Sequence, residues 1–294
     1  MSRCTSLPSS SHARRRQAAR RRAMHRRARR TLFACGLALA ATLSLMSVGP
    51  SGRLTPVTDT TPAAENIEQP VFSSTDDDSA EARRAAILQD TSGTYPESLQ
   101  ALLERHPDAL GFVEDYPDHK DDAPADTIGE VVQGQFPLLL QWDPRWGYTR
   151  YGDDLLAVTG CGPTCLAMAA AGLTGDDTIT PAAVAQRAQR DGYWVDGVTS
   201  WGLMTTGCEA WGLVSEELPL TESTVTGALS EGRPIICSVR PGDFTTTGHF
   251  ILLTGIAEEG IRVNDPNSPQ NSNRLWTYAE LEPQIRNLWA FSAR

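Results

Sequence analysis

One cysteine carries the pattern expected of a nucleophile. Cys161 lies in the run Gly160-Cys161-Gly162-Pro163, and a Gly-Pro pair at this point is typical of a helix start. Unpaired N–H groups at the amino end of a helix favour an anion, so this position favours a thiolate. A thiolate is a competent nucleophile when an imidazole lies close to it. The same residue could instead be a structural thiol or half of a disulfide.

A histidine and an aspartate further along the chain could complete such a site. His249 is the only histidine after residue 134, and it begins an apolar run that predicts a strand. Asp265 follows sixteen residues later, at the end of the next predicted strand. Adjacent antiparallel strands can place a carboxylate beside an imidazole, where it orients the ring and stabilises the imidazolium. Taken singly, His249 could be a core residue and Asp265-Pro266 an ordinary turn.

An acyl-transfer site also needs donors for the negative charge that develops on the substrate oxygen. The backbone N–H of Cys161 is one candidate, and the side-chain amide of Gln141 is another.

A zinc site could be drawn from Cys161, Cys165, Cys208 and His249, but their spacing fits no common structural pattern. We therefore expect no metal and no cofactor.

The elements that must position these residues lie in the last 160 or so residues of the chain. All seven tryptophans lie between Trp142 and Trp289, which predicts a domain at 134–294. The pattern there predicts an α+β fold with a helical half followed by an antiparallel sheet. The helices are expected at 163–171, 180–190 and 202–212, and the strands at 234–239, 248–255 and 260–265.

Two segments of this domain could lie at the cleft. The tryptophan-rich stretches 142–146 and 199–202 are expected to be core, with a cleft wall as the alternative. The segment 242–248 runs directly into His249. We interpret it as a cleft-side loop that positions the histidine.

The amino terminus has the pattern of a targeting segment. Residues 1–30 contain eleven arginines and no acidic residue, and residues 31–48 are an uncharged, mostly apolar run. A positive flank before an apolar run predicts a signal anchor or a cleaved signal peptide, with the flank kept in the cytoplasm. The rest of the chain is then expected outside the cytoplasm, anchored to the membrane through 31–48 or secreted.

Between this segment and the domain, composition predicts two linkers around a helical region. Residues 49–80 read as a disordered linker. Residues 81–116 have helical periodicity, with a break at His106-Pro107, and residues 117–133 read as an acidic linker. Because 81–116 stands between two linkers, one hypothesis is that it is a propeptide that covers the cleft.

The charge excludes one class of partner. The whole chain carries a net charge of −10, but residues 1–30 hold 11 of the 26 basic residues, which leaves −21 for the remainder. Affinity for phosphate backbones comes from lysine and arginine, so a body this acidic is not expected to bind nucleic acid. The oligomeric state is not indicated by any pattern in the sequence.

Four motifs in order resemble those of the C-39-like cysteine peptidases, which are related to the leader-cleaving peptidase domains of bacteriocin exporters. The motifs lie at 141–147 (QWDPRWG), 160–164 (GCGPT), 248–250 (GHF) and 264–267 (NDPN). The segments 95–99 and 113–117 also resemble a region that precedes the domain in secreted bacterial members.

The resemblance implies a papain-like fold and assigns four roles. Cys161 would be the nucleophile, His249 the base, Asp265 the residue that orients it, and Gln141 the oxyanion donor. One departure concerns Gln141, which lies twenty residues before Cys161, whereas in exporter domains the gap is a few residues. The segment 147–159 must therefore fold away to return Gln141 to the site.

The function expected from these residues is an exported thiol-dependent peptidase that acts on a peptide or protein substrate through an acyl-enzyme. One alternative is a cell-wall amidase or transpeptidase with the same triad. Another is a non-catalytic surface binding module on a peptidase-like scaffold.

Overall fold

A six-stranded antiparallel sheet is the largest element of the computed structural model, which describes residues 74–294. The targeting segments predicted at 1–30 and 31–48, and most of the linker at 49–80, lie outside the described residues. The strands of the sheet run in the order β5-β10-β6-β7-β8-β9, and two short hairpins, β1-β2 and β3-β4, stand apart from it. The strands are β1 Arg150–Tyr151, β2 Asp154–Leu155, β3 Trp194–Val195, β4 Val198–Thr199, β5 Leu213–Glu217, β6 Ile235–Val239, β7 His249–Ala257, β8 Gly260–Asn264, β9 Leu275–Trp276 and β10 Ile285–Ala293.

Most of the helices precede the sheet along the chain. The α-helices are α1 Ser74–Leu88, α2 Glu97–Arg105, α3 Leu110–His119, α4 Leu156–Thr159, α5 Cys161–Thr174, α6 Pro181–Arg190, α7 Glu222–Ser230, α8 Pro269–Ser272 and α9 Tyr278–Leu281. Short 3₁₀ turns lie at Pro107–Ala109, Trp201–Leu203, Gly207–Trp211 and Glu282–Gln284. The predicted α+β order, a helical half followed by an antiparallel sheet, is confirmed.

The sheet is covered on both faces, which explains why its central strands are mostly apolar. All five residues of β6 are buried. Ile236, Phe250 and Leu252 share a core cluster with the residues of α5. The alternate residues Ile235 and Ile251 share a second cluster with α7. Because successive side chains of a strand point to opposite faces, a strand between two layers needs apolar residues at every position.

The helices α1 to α3, at 74–119, share a third core cluster with the start of the domain. Leu99, Leu102 and Leu103 of α2 are buried in this cluster. Trp142 and Tyr148 belong to the same cluster. Between α2 and α3 the chain turns at His106-Pro107, where a 3₁₀ turn begins at Pro107. The region is thus packed against the domain.

Several sequence-based boundaries were wrong for local reasons. The helix expected at 202–212 is two 3₁₀ turns separated by residues 204–206, and the second turn ends at Gly212, which has a φ of +72°. The linker expected at 49–80 ends earlier, because α1 begins at Ser74. Strand β10 pairs with both β5 and β6, and neither β5 nor β10 was predicted.

Within residues 74–294, no helix combines the length and the apolar character that a bilayer crossing requires.

Candidate active site

Cys161 is the first residue of α5, and its neighbours explain why glycine flanks it. A Cβ at Gly160 would lie 2.4 Å from the Leu156 carbonyl oxygen, and one at Gly162 would lie 2.8 Å from the Thr199 Cγ2. Both positions therefore require close approach of the backbone. The Cys161 side chain is partly exposed, and no side chain caps the helix at this end. The unpaired N–H groups of the first turn are thus free to face an anion.

The start of β7 and the end of β8 bring His249 and Asp265 together. These strands are antiparallel neighbours with Leu252 opposite Asn264, so the residue after Asn264 lies near the start of β7. The His249 Nε2 and the Asp265 Oδ1 are 2.7 Å apart, and both side chains are buried. Cys161 lines the same cleft as the ring, and its interaction with the ring helps to raise the pKa of His249. Because Nε2 is engaged by Asp265, Nδ1 is the nitrogen left for the Cys161 sulfur.

A polar network holds the Asp265 carboxylate in place. The Asn267 backbone N–H donates to Oδ1 at 2.9 Å, and the Asn271 Nδ2 donates to Oδ2 at 2.8 Å. The Asp265 backbone N–H donates to the Ser272 Oγ at 2.9 Å. Both carboxylate oxygens therefore have fixed partners, as a buried charge requires.

The charges of this pair shift both pKa values. Burial alone would lower the pKa of His249, but the Asp265 carboxylate, its hydrogen bond and Cys161 outweigh burial and raise that pKa to about 10. Burial alone would raise the pKa of Asp265, but the His249 imidazolium and the hydrogen bonds to the carboxylate lower it. The structure thus favours an imidazolium beside a carboxylate.

Gln141 reaches the site although twenty residues separate it from Cys161. The intervening chain folds back through the β1-β2 hairpin and α4. The Gln141 Nε2 donates to the Ala157 carbonyl oxygen at 2.7 Å, and its backbone N–H donates to the Pro266 carbonyl oxygen at 2.7 Å. Gln141 is therefore tied both to the chain just before Cys161 and to the residue after Asp265.

The site opens into a cleft with two lobes that meet at Cys161 and His249. The larger lobe has a volume of about 450 Å³. The smaller lobe, of about 260 Å³, contains Gln141 and the predicted cleft-side loop at 242–248. The larger lobe also contains one charged side chain, that of Arg286. The rest of its wall is mainly apolar and hydroxyl side chains, those of Val158, Thr159, Trp194, Val198, Thr199, Trp201, Val239 and Phe250.

Trp201 corrects one expectation about the core. Trp142 and Trp146 are buried as predicted, but Trp201 is 43% exposed and lines the larger lobe. Its ring packs edge-on against Trp289, with the ring centroids 5.5 Å apart. The alternative reading, a cleft wall, is therefore the correct one for this residue.

The other three cysteines of the described region are free thiols in buried positions. Cys165 lies one helical turn after Cys161, and burial raises the pKa of its thiol. Burial also raises the pKa of Cys208 and that of Cys237. Of the four thiols, only that of Cys161 is partly exposed and faces the imidazole.

Sequence reasoning missed the residues that hold Asp265. Asn267, Asn271 and Ser272 follow it within seven positions, in a polar stretch that reads as an ordinary turn. The available signal was the Asp-Pro-Asn run directly after a strand, since asparagine and serine side chains commonly satisfy backbone and carboxylate groups at such turns. His106, treated only as part of a helix break, also lines the smaller lobe.

Two solved structures resemble this chain, whereas no curated protein matches it. The peptidase domain of Streptococcus ComA, a bifunctional ABC transporter involved in a quorum-sensing pathway, is 17% identical, with a TM-score of 0.39 over 54% of this chain and 100% of its own. A Bacillus anthracis protein assigned as a C39-like peptidase is 15% identical, with a TM-score of 0.31 over 56% of this chain and 98% of its own.

The comparison with family models concerns the domain that contains all four site residues. Residues 134–291, more than half of the chain, match the model of the Peptidase_C39 like family. This span begins where the tryptophan distribution placed the domain and ends within β10. The chain belongs to the C39-like family of cysteine peptidases.

Proposed function

We propose that this protein is a thiol-dependent peptidase that cleaves peptide bonds through Cys161, His249 and Asp265, with an acyl-enzyme intermediate. The observation that carries the proposal is the His249 ring, which is hydrogen-bonded to Asp265 through Nε2 and lines both lobes of the cleft together with Cys161. The sulfur stands at a helix amino end and opens into a cleft. This is the arrangement that activates a thiol for acyl transfer.

Each group has a defined part in the proposed reaction. The Cys161 thiolate attacks the peptide carbonyl carbon, and the backbone N–H of Cys161 and the Gln141 amide stabilise the oxyanion that forms. The Gln141 Nε2 has two N–H bonds, of which one is used by Ala157, so the other is available for this role. His249 protonates the leaving amine as the C–N bond breaks. Water, activated by His249, then hydrolyses the thioester and releases the carboxylic acid.

The proposed location is outside the cytoplasm. It is supported by the arginine-rich segment 1–30 followed by the apolar run 31–48. The proposed substrate is an extended peptide or protein segment, since the cleft is open on both sides of Cys161 and apolar over much of the larger lobe.

The proposal is tested by comparing two substrates after labelling of the nucleophile. The purified protein is first treated with a thiol-directed covalent inhibitor, and the modified cysteine is mapped by mass spectrometry. Untreated protein and labelled protein are then each incubated with a mixture of unstructured peptides and, separately, with purified peptidoglycan. We expect the inhibitor to label Cys161. We expect the untreated protein to cleave the peptides and the labelled protein to cleave none.

The other outcomes separate the alternatives. Release of fragments from peptidoglycan without peptide cleavage would assign the same triad to a wall amidase. Peptide joining in the presence of an amine acceptor, without net hydrolysis, would indicate a transpeptidase. No labelling of Cys161 and no turnover would leave a non-catalytic binding module.

Replacement of Trp201 with alanine tests whether the larger lobe binds substrate. Burying an aromatic side chain of a peptide against Trp201 removes apolar surface from water, worth about 1.5–3 kcal/mol. We expect W201A to raise the KM for a peptide with bulky apolar residues by about tenfold, with kcat within about twofold of wild type.

The matched control is Ile256→Ala, since Ile256 is 40% exposed and does not line the lobe. We expect this variant to keep the wild-type KM. An unchanged KM in W201A, with normal labelling of Cys161, would show that this lobe does not contribute to substrate binding.

A further inference from the structure

The region 74–119 forms part of the wall of the cleft. Leu102, Arg105 and His106 line the smaller lobe, on the side of Cys161 where Gln141 lies. Cys161 nevertheless stays partly exposed, so these helices border the nucleophile without sealing it.

This region is built into the domain through a shared core. The Phe112 ring stacks on the Tyr148 ring with centroids 4.4 Å apart and planes 11° from parallel. The Tyr148 hydroxyl donates to the Phe112 carbonyl oxygen at 2.9 Å, and both side chains are buried. Removal of a segment held in this way would expose aromatic surface on both partners, which favours its retention in the folded protein.

His106 is connected to the catalytic pair through one intermediate residue. The Asn267 Nδ2 donates to the His106 Nε2 at 2.9 Å. The Asn267 backbone N–H donates to the Asp265 Oδ1, the same oxygen that faces the His249 Nε2. The contacts therefore run from His106 through Asn267 and Asp265 to His249.

The orientation of Asn267 depends on this contact. Its backbone carbonyl oxygen accepts a bond from the Trp142 Nε1 at 3.2 Å. Its Oδ1 is buried and has no partner among the described residues. The bond to His106 is therefore the one that fixes its side chain.

The His106 ring suits the role of acceptor. An amide N–H can only donate, so Nε2 must carry a lone pair and the ring must be neutral. Burial lowers the pKa of His106, which favours that state. The charged or titratable groups around the ring are Asp265, Arg105, His249 and Asp108.

We propose that His106 is a positioning residue for Asp265, acting through Asn267. The helical region then forms part of the wall of the active site and is not a removable inhibitor. The role rests on the proposed peptidase function, since it concerns the residue that orients the base. Loss of the His106 acceptor frees the Asn267 side chain and loosens the 265–267 turn. The Asp265 carboxylate then holds the His249 ring less firmly.

The test compares His106→Ala with His106→Gln in the full chain. The Gln side-chain oxygen can occupy the place of Nε2 and accept from Asn267, whereas alanine cannot. We expect H106A to lower kcat by about tenfold with little change in KM, as misplacement of a catalytic group does. We also expect the alkaline limb of its pH profile to move to lower pH, because a less firmly held Asp265 stabilises the imidazolium less. H106Q should restore both.

The matched control is Asp108→Ala. Asp108 accepts a bond from Gln270 across the same interface, but the described contacts do not link it to Asn267. We expect D108A to keep the wild-type pH profile. An H106A variant that loses only thermal stability, with the profile of D108A, would reduce His106 to a structural role. An H106A variant with higher activity than wild type would instead support an inhibitory region.

A substrate-free readout separates this proposal from the proposed function. The rate of Cys161 alkylation by iodoacetamide as a function of pH reports the Cys161–His249 pair alone. An unchanged alkylation profile in H106A and H106Q would overturn the positioning role. An altered profile in H106A, restored in H106Q, would support it even if the wild-type protein cleaved no peptide, which would count against the peptidase function only.

Discussion

Cys161→Ala is expected to abolish peptide hydrolysis, with a loss of at least about 10³-fold in kcat. The variant removes the only group in the proposed site that can form the acyl-enzyme, and water activated by His249 is a far poorer substitute. The fold should remain intact, since Cys161 is partly exposed at the start of α5 and alanine is a good helix former. The measurement is the rate of cleavage of a fluorogenic peptide, with circular dichroism to check folding.

Cys165→Ala is the matched control one helical turn away. Cys165 is fully buried, and burial raises the pKa of its thiol, so it stays protonated and out of reach of substrate. Because the change removes a single sulfur atom from the core, we expect a modest loss of stability and retention of most of the activity. An inactive C165A beside an active C161A would refute the assignment of the nucleophile.

The pairing of Cys161, His249 and Asp265 could be predicted because each residue stands at the end of an element. Helix starts have a Gly-Pro signal, and a buried strand in a covered sheet is a continuous apolar run. Once β7 and β8 are recognised as neighbours, Asp265 must lie near the start of β7. The three positions are therefore local features of the sequence joined by one simple topology.

The role of the helical region could not be predicted in the same way. His106 and Asn267 are 161 positions apart, and neither has a neighbour pattern that indicates the other. Their contact depends on how α2 and α3 pack against Trp142 and Tyr148, which is a tertiary arrangement. The exposure of Trp201 has the same origin, since a tryptophan beside a glycine is expected in the core when only the sequence is known.

The edges of the sheet were missed for a different reason. Strand β5 (LVSEE) has an apolar start and a charged end, which is weak evidence for a strand. Strand β10 contains polar residues at Arg286 and Asn287 and is defined by its pairing with β5 and β6. Strand propensity depends on packing against neighbours, so such segments are assigned only when the neighbours are known.

Asp265→Asn is expected to lower kcat/KM by up to about 10⁴-fold, the loss that follows when the aspartate of a catalytic triad is replaced with asparagine. Asparagine keeps the shape of the residue and can still accept a hydrogen bond from the His249 Nε2. It cannot stabilise the imidazolium, however, which is the form that protonates the leaving amine. The loss should therefore appear mainly in kcat, measured by initial rates over a range of peptide concentrations.

The pH profile gives a sharper test of the same variant. In the wild type, Asp265 and Cys161 raise the pKa of His249 to about 10, so the alkaline limb of kcat/KM is expected in that region. Without the carboxylate, burial opposes the charged ring, and the limb should move toward or below the ordinary histidine value of 6.5. Asn271→Ala is the control, since it removes one donor to Asp265 but leaves the charge. Its limb should stay close to that of the wild type.

The same pair makes stability depend on pH in a defined direction. Because the pKa of His249 is raised, its contribution to the free energy of unfolding is fully present below pH 6.5 and is lost as the pH rises toward about 10. Because the pKa of Asp265 is lowered, its contribution to the free energy of unfolding is present above pH 3.8 and is lost as the pH falls below that value. The difference in Tm between wild type and D265N should thus be largest between pH 3.8 and 6.5 and shrink on either side. A difference in Tm that stayed the same from below pH 3.8 up to about pH 10 would show that the two residues are not an ion pair in the folded protein. The imidazolium of the proposed reaction would then lack its partner.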